Sequence, residues 1–394
     1  MISFDEAITR LTKVAKPLGP ETVTLSEASG RRLAADVTAR LDSPRSAVSA
    51  MDGYAVRSGD LRPDKPFAVI GESFPGRPFG KPVQAGECVR IFTGAPVPEG
   101  ADRVVIQENA ARNGDRVSFN NGFDGPDHIR AAGSDFGKGD TLLTAGHRLN
   151  PRALVAAAAA DAAKLDVFRR ADVFVLATGD ELKSPGEAHL TSDGIPDSLS
   201  AALIAFIQDW GGVPVGQAKI ADDPGILQAA AQQALEHADL VLVTGGASVG
   251  EKDFARDMFD FANPEEVFSK CAIKPGKPVW LSAVGGGLVL GLPGNPTSAM
   301  VTARLFLAPL LTGLEGGDPA EALHWRERTL SGAIGRNGGR ETFHRARLYG
   351  GKAAPLGTHD SGAQAALAGA DLLVRQAADH DGYSDGETVR TLDF

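Results

Sequence analysis

The segment Lys270-Cys271-Ala272-Ile273-Lys274-Pro275-Gly276-Lys277-Pro278 places three lysines within eight residues of a chain that is otherwise acidic. Pro275 and Pro278 fix the backbone torsion φ there, so the ammonium groups start from restricted origins, which suits a fixed anion better than bulk water. A solvated lysine face is the plain alternative. Close behind, Gly291-Leu292-Pro293-Gly294-Asn295-Pro296-Thr297-Ser298 joins a strand pattern to a helix pattern. A helix start carries unpaired N–H groups and the positive end of the dipole, and Ser298 adds a hydroxyl, so the turn reads as an oxyanion binder.

A second group of residues is acidic. Thr178-Gly179-Asp180-Glu181, Asp222-Asp223, and the run from Thr244-Gly245-Gly246-Ala247-Ser248 to Asp253 each carry carboxylates. Carboxylates converging on one crevice repel unless a hard cation neutralises them, and oxygen donors suit Mg²⁺. Taken singly, Asp180 and Asp222 also read as helix caps or turn formers. Gly245, Gly246 and Ser248 could turn backbone N–H groups toward a phosphate, or form an ordinary tight turn; the spacing is neither a dinucleotide fingerprint nor a P-loop. A third group holds Asp52 in Ser49 to Val56 and Thr93 in Phe92 to Asp102, where turns are the rival explanation. No Ser/His/Asp or Cys/His arrangement stands out, and His128, His344 and His359 read as structural or surface residues.

The elements that must position these residues change character along the chain. Phe4 to Val14 reads as a helix. Between about 46 and 130, short β-prone runs (Phe67 to Ile70, Cys88 to Phe92, Arg103 to Ile106) alternate with Gly/Pro turns. Asn150-Pro151 opens a helix with a cap and a first-turn proline, and Ala156 to Ala160 are strong helix formers. From about 168 strands and helices alternate. Strands are expected at Val173 to Ala177, Val213 to Ile220, Leu240 to Val243, Val279 to Ser282 and Gly287 to Leu290. Helices are expected at Leu199 to Asp209, Pro224 to Leu235 and Pro296 to Leu311. That order predicts a parallel doubly wound sheet, with ligands beyond the carboxyl ends of its strands, where the three acidic segments fall. After Gly316-Gly317 the pattern is β again. The fold class is therefore multidomain α/β plus β. The expected division is a discontinuous mixed linker domain (1–45 with 131–167), a β-rich module (46–130), a doubly wound α/β domain (168–315) and a small C-terminal β domain (316–394).

The chain has 394 residues, 43% of them hydrophobic, and a formal net charge of −10. That is enough to bury real cores and rules out global disorder, and the charge argues against a nucleic-acid partner. Cys88 and Cys271 are too few for a disulfide framework or a cysteine zinc site and fit a reducing compartment. The N-terminal residues lack a signal pattern, and the apolar stretch Ala153 to Leu165 contains Asp161 and Lys164 and is too short to span a bilayer. A cytoplasmic protein without membrane association is expected.

Six segments together (Ser49 to Val56, Phe92 to Gly100, Ala177 to Leu182, Thr244 to Asp253, Ile273 to Pro278, Gly291 to Ser298) resemble, in order and across nearly the whole chain, the molybdopterin molybdenumtransferase family: bacterial MoeA and the E domain of gephyrin. The resemblance implies four domains and a homodimer whose active cleft lies between domain III of one subunit and domain II of its partner. It implies insertion of molybdate into adenylylated molybdopterin, with Mg²⁺-assisted release of AMP. Asp52, Thr93, Glu181, Asp222 and Asp253 would then be catalytic. Asp180, Glu181, Asp222 and Asp253 would hold Mg²⁺. Arg130, Asp135, Thr178, Gly179, Asp180, Gly245, Gly246, Ser248, Pro293 and Pro296 would contact molybdopterin-AMP, and Lys270, Lys274, Lys277, Ser298, Arg340 and Ser361 would contact molybdate. The upstream adenylyltransferase and the recipient molybdoenzymes are the implied protein partners. Two departures from the family pattern are Asp197-Ser198-Leu199, where Asp-Ser/Thr-Asn is usual, and Phe254, where Tyr is common. The competing readings are a molybdopterin adenylyltransferase with the same domain III fold, a gephyrin-like scaffold and a tungstate-preferring paralogue.

Overall fold

The computed structural model describes residues 1–63, 65–121, 124–245, 254–357 and 363–394. Backbone contacts divide the chain into two compact units, one of Met1–Glu21, Gly30–Ala34 and Asp166–Phe394, the other of Thr22–Ser29 and Ala35–Leu165. Gly246, Ser248, Asp253 and Ser361 lie outside the described residues.

In the second unit, a six-stranded sheet runs in the order Arg103–Ile106, Gly53–Val56, Glu87–Ile91, Phe67–Ser73, Arg116–Phe119, Ala110–Asn113. Tyr54, Val56, Phe67, Cys88, Val105, Val117 and Phe119 form its apolar core. Gly53 is obligatory in this sheet, because a Cβ there would lie 2.1 Å from the Val105 carbonyl oxygen. Around the sheet, residues 35–49 pair with 129–143: Val37–Thr38 with Thr141–Leu143, and Val48–Ser49 with Ile129–Arg130. The helix Pro151–Ala159 begins as its sequence signals indicate, with the Asn150 side chain accepting from the Arg152 and Ala153 N–H groups.

The first unit is built on another six-stranded sheet, ordered Val213–Ile220, Asp172–Thr178, Leu240–Thr244, Gly287–Leu292, Trp280–Val284, Glu265–Ser269. Strand alternation sends Val173, Val175, Leu240 and Leu242 into one core with Leu203, Phe206 and Ile207 of the helix Ser200–Asp209. Phe174, Leu176, Val241 and Val243 face the other way, onto Leu227, Ala231 and Ala234 of the helix Pro224–His237. Helices thus cover both faces, the doubly wound arrangement that continuous apolar strands require.

The sheet departs from the expected all-parallel form. Its first four strands are parallel, but Trp280–Val284 and Glu265–Ser269 join antiparallel. Gly285 and Gly286 both take positive φ (57° and 92°) and close a tight hairpin between Trp280–Val284 and Gly287–Leu292. A strand buried on both faces shows the same apolar run in either direction, so the sequence pattern does not separate the two.

Among the described residues one helix, Pro296–Leu314, is long and apolar enough to cross a membrane, but 94% of its most apolar window is buried inside the protein, as in a core helix. It contains a π segment at Ala303–Leu307. Six further strands form a third sheet. Its order is Ile273–Lys274, Glu341–Tyr349, Leu372–Gln376, Thr388–Asp393, Arg326–Thr329, with Lys352–Pro355 also paired to Glu341–Tyr349. Ile273 and Lys274 pair in parallel with Glu341 and Thr342, so the lysine-bearing bend forms the edge of the C-terminal sheet.

Candidate functional site

Two cavities lie on either side of the turn that begins the helix Pro296–Leu314. The first, about 270 Å³, is lined by the bend Lys274 to Pro278, by Thr297 and Ser298, and by Arg340, Thr342, Phe343, His344, Arg345 and Leu356. The parallel pairing of Lys274 with Thr342 brings the bend beside Arg340 and His344. Gly276 fits the bend against the helix: its φ is 102°, and a Cβ would stand 2.2 Å from Thr302 Cγ2. Among the described lining residues four are cationic (Lys274, Lys277, Arg340 and Arg345), and none is a carboxylate. In a chain of net charge −10, such a concentration of positive charge is suited to an anion.

The second cavity, about 450 Å³, opens at the carboxyl ends of the parallel strands. It is lined by Thr178, Gly179, Glu181 and Leu182, by Ile195 to Leu199, by Asp222, Thr244 and Gly245, and by Gly294, Pro296 and Gln364. Its walls meet closely: Gly245 has φ 89°, a Cβ on it would lie 2.3 Å from the Thr178 carbonyl oxygen, and one on Gly294 would lie 3.1 Å from Gly245 Cα. Asp180 ties two strand ends together by accepting the Asp222 N–H at 3.2 Å. The Asp222 carboxyl is held above its ordinary range, first by desolvation and then by the charges of Asp180 and Glu181. Asp223 and Asp197 are otherwise engaged. Asp223 caps its helix through the Gly225 and Ile226 N–H groups, and Asp197 accepts from the Leu199 and Ser200 N–H groups and the Ser200 hydroxyl.

Among the described residues no trio of His, Cys, Asp and Glu is gathered closely enough to hold a metal ion. Mg²⁺ commonly uses one or two carboxylates and takes its other oxygens from phosphate and water. The hard donors Asp180, Glu181 and Asp222, in mutual repulsion, fit that requirement.

The sequence-predicted residues divide accordingly. Lys274, Lys277, Ser298 and Arg340 share the first cavity. Thr178, Gly179, Glu181, Asp222, Gly245 and Pro296 share the second, with Asp180 adjoining through its bond to Asp222. Lys270 is exposed, takes φ 63°, and does not line the anion cavity. Pro293 is buried in the dividing turn, outside both linings. Asp52, Thr93, Arg130 and Asp135 belong to the other unit. There Asp52 accepts from Thr93 twice, from its N–H at 2.7 Å and its hydroxyl at 2.8 Å. These bonds, with Arg90 nearby, hold the Asp52 carboxyl below its usual range. Arg130 pairs through its backbone with Val48, and the Asp135 N–H donates to the Ser43 carbonyl.

Thr297, His344 and Arg345 were not read as binding residues from the sequence. His344 is buried, and its Nε2 lies 2.7 Å from Gln376 Oε1, so a structural reading captures part of its role. The available signal was a strand, Glu341–Tyr349, whose buried stretch carries Thr, His and Arg.

Comparison with known proteins bears on the same regions. Residues 2–160 match the family described as MoeA N-terminal region (domain I and II), 174–313 the probable molybdopterin binding domain, and 328–394 the MoeA C-terminal region (domain IV). The molybdopterin molybdenumtransferase of Bacillus subtilis is 32% identical over 409 aligned positions, covering 99% of this chain and 94% of that protein. The one from Haemophilus influenzae is 36% identical over 318, covering 80% and 78%. A solved structure of the molybdopterin biosynthesis MoeA protein from Pyrococcus horikoshii superimposes with a TM-score of 0.85 at 28% identity, over 100% of this chain and 99% of that one.

Proposed function

Because this chain belongs to the MoeA family of molybdopterin molybdenumtransferases, enzymes of molybdenum cofactor biosynthesis, we propose that it transfers molybdate to adenylylated molybdopterin and releases AMP with the help of Mg²⁺. The observation that carries this reading is the cationic cavity, free of carboxylates among the described residues, set one turn away from a carboxylate-lined cavity at the strand ends. The family match over residues 2–160 and 328–394, outside the region 174–313, disfavours the adenylyltransferase reading.

Lys274, Lys277 and Arg340 balance the charge of the incoming oxyanion, and Ser298 orients it. Thr178, Gly179, Gly245 and Pro296 form the wall along which the pterin phosphate lies. Asp222, with a carboxyl already biased toward proton uptake, accepts the proton of the water that attacks the phosphoanhydride. Bound Mg²⁺ would polarise the phosphate oxygens and neutralise the charge on leaving AMP. Asp180 and Glu181, beside Asp222, would hold it. We place the reaction in the cytoplasm, in keeping with two free, buried cysteines.

The working form on this reading is a homodimer, in which Asp52 and Thr93 of one subunit complete the cleft of the other. The test is AMP release from adenylylated molybdopterin with Mg²⁺, which should depend on added molybdate. Asp52→Ala and Lys274→Ala should each be inactive alone. Mixed and re-equilibrated, half the dimers would be heterodimers with one intact cleft of two, recovering about a quarter of the activity. No recovery would refute the shared cleft, and molybdate-independent AMP release would refute the transfer.

A further inference from the structure

One polar group in the cationic cavity has no role in the reading above. Thr297 lines that cavity and has 0% exposure. Its Oγ1 is buried and has no hydrogen-bond partner among the described residues. Other threonines of the same helix are satisfied by their own backbone: Thr302 Oγ1 donates to the Ser298 carbonyl at 2.9 Å, and Thr312 Oγ1 to the Ala308 carbonyl at 2.9 Å. A buried hydroxyl left unpaired is destabilising, and a valine would fill the same space without that cost. Thr297 shares the lining of that cavity with Lys274, Lys277, Arg340 and Ser298.

We propose that Thr297 is a further ligand of the bound tetrahedral oxyanion, its O–H donating to one molybdate oxygen. This rests on the reading of the cavity as the molybdate site. The chemistry favours a hydroxyl at this point. Three cations already offset a dianion, and a neutral donor adds direction without adding charge repulsion among them. Thr297 would therefore fix which way the oxyanion faces, while the lysines and Arg340 supply most of the attraction.

Sodium molybdate titrated calorimetrically into the full-length protein tests this with three variants. Thr297→Val should weaken binding about tenfold, Thr297→Ser should stay within about twofold of the parent, and Lys274→Ala should lose binding altogether. Without molybdate, Thr297→Val should melt at a higher temperature than the parent, which a merely structural hydroxyl would not produce. In turnover its KM for molybdate should rise, and kcat should fall as the oxyanion loses its fixed orientation. If Lys274→Ala fails to bind while Thr297→Val binds like the parent, the inference is overturned and the cavity assignment stands. If neither change matters, the cavity assignment itself falls. Equal losses in Thr297→Val and Thr297→Ser would also overturn the inference, by pointing to shape rather than the hydroxyl.

Discussion

The two cavities flanking the turn before Pro296 are close neighbours built on opposite electrostatic plans. Among the described residues, one gathers Lys274, Lys277, Arg340 and Arg345 with no carboxylate in its lining; the other gathers Glu181, Asp197 and Asp222 with no lysine or arginine. The means of construction differ too. The basic side is assembled from distant parts of the chain, by a short edge strand pairing with the C-terminal sheet. The acidic side uses the ends of consecutive parallel strands, which any doubly wound sheet supplies. The difference teaches that charge, more than shape, assigns ligands to each side. On the proposed reading, an oxyanion would be drawn to one wall and a metal-bound phosphate to the other, with a single turn holding them apart.

The largest expected effect comes from the contact between the walls. Gly245→Ala would put a Cβ 2.3 Å from the Thr178 oxygen at φ 89°, costing about 2–5 kcal/mol of stability by urea unfolding. Since Gly294 of the dividing turn packs on Gly245, molybdate binding should suffer as well; undisturbed binding in that variant would mean the two sides are mechanically separate. Next in size, Arg340→Ala should weaken molybdate binding by about 10–100-fold, with a milder dependence on salt than the parent shows. Asp222→Asn should leave the same affinity within about twofold, and a loss comparable to that of Arg340→Ala would break the electrostatic division. The smallest effect concerns pH. Asp222 has a folded-state pKa raised above its unfolded value, so the native protein binds the extra proton more readily. Stability is then lost as pH climbs from the ordinary carboxylate range through the raised value. Asp222→Asn should flatten that decline in melting temperature, and Mg²⁺ should do the same for the parent protein but not for the variant.

Much of this plan was legible in the residues, and what was hidden was long-range. The Asn150-Pro151 helix start, the strand Val213–Ile220 and the helix Phe4–Val14 stand where local signals put them. Local propensity and periodicity settle such elements. The antiparallel hairpin around Gly285-Gly286 was not legible, because direction in a buried sheet leaves no periodic trace. The edge strand Ile273–Lys274 was hidden for another reason: two residues are too few to show a pattern, and their partner lies some seventy positions later. Of the site, Lys274, Lys277 and Ser298 could be read from spacing and stiffness. Thr297 could not, since only burial exposes a hydroxyl left without a partner. Leu199 shows the reverse case. It occupies a position where the family usually has an amide, yet Asp197 caps the helix start and Leu199 is buried in the core, so the departure is absorbed structurally.

The short pairing of Lys274 with Thr342 carries an implication for how such a molecule can be dissected or inherited. A fragment ending near residue 315 would retain every parallel strand and both covering helices, yet lack Arg340 and the strand on which the lysine bend rests. On the proposed reading, capture of the metal oxyanion would therefore belong to the joined chain and to neither part alone.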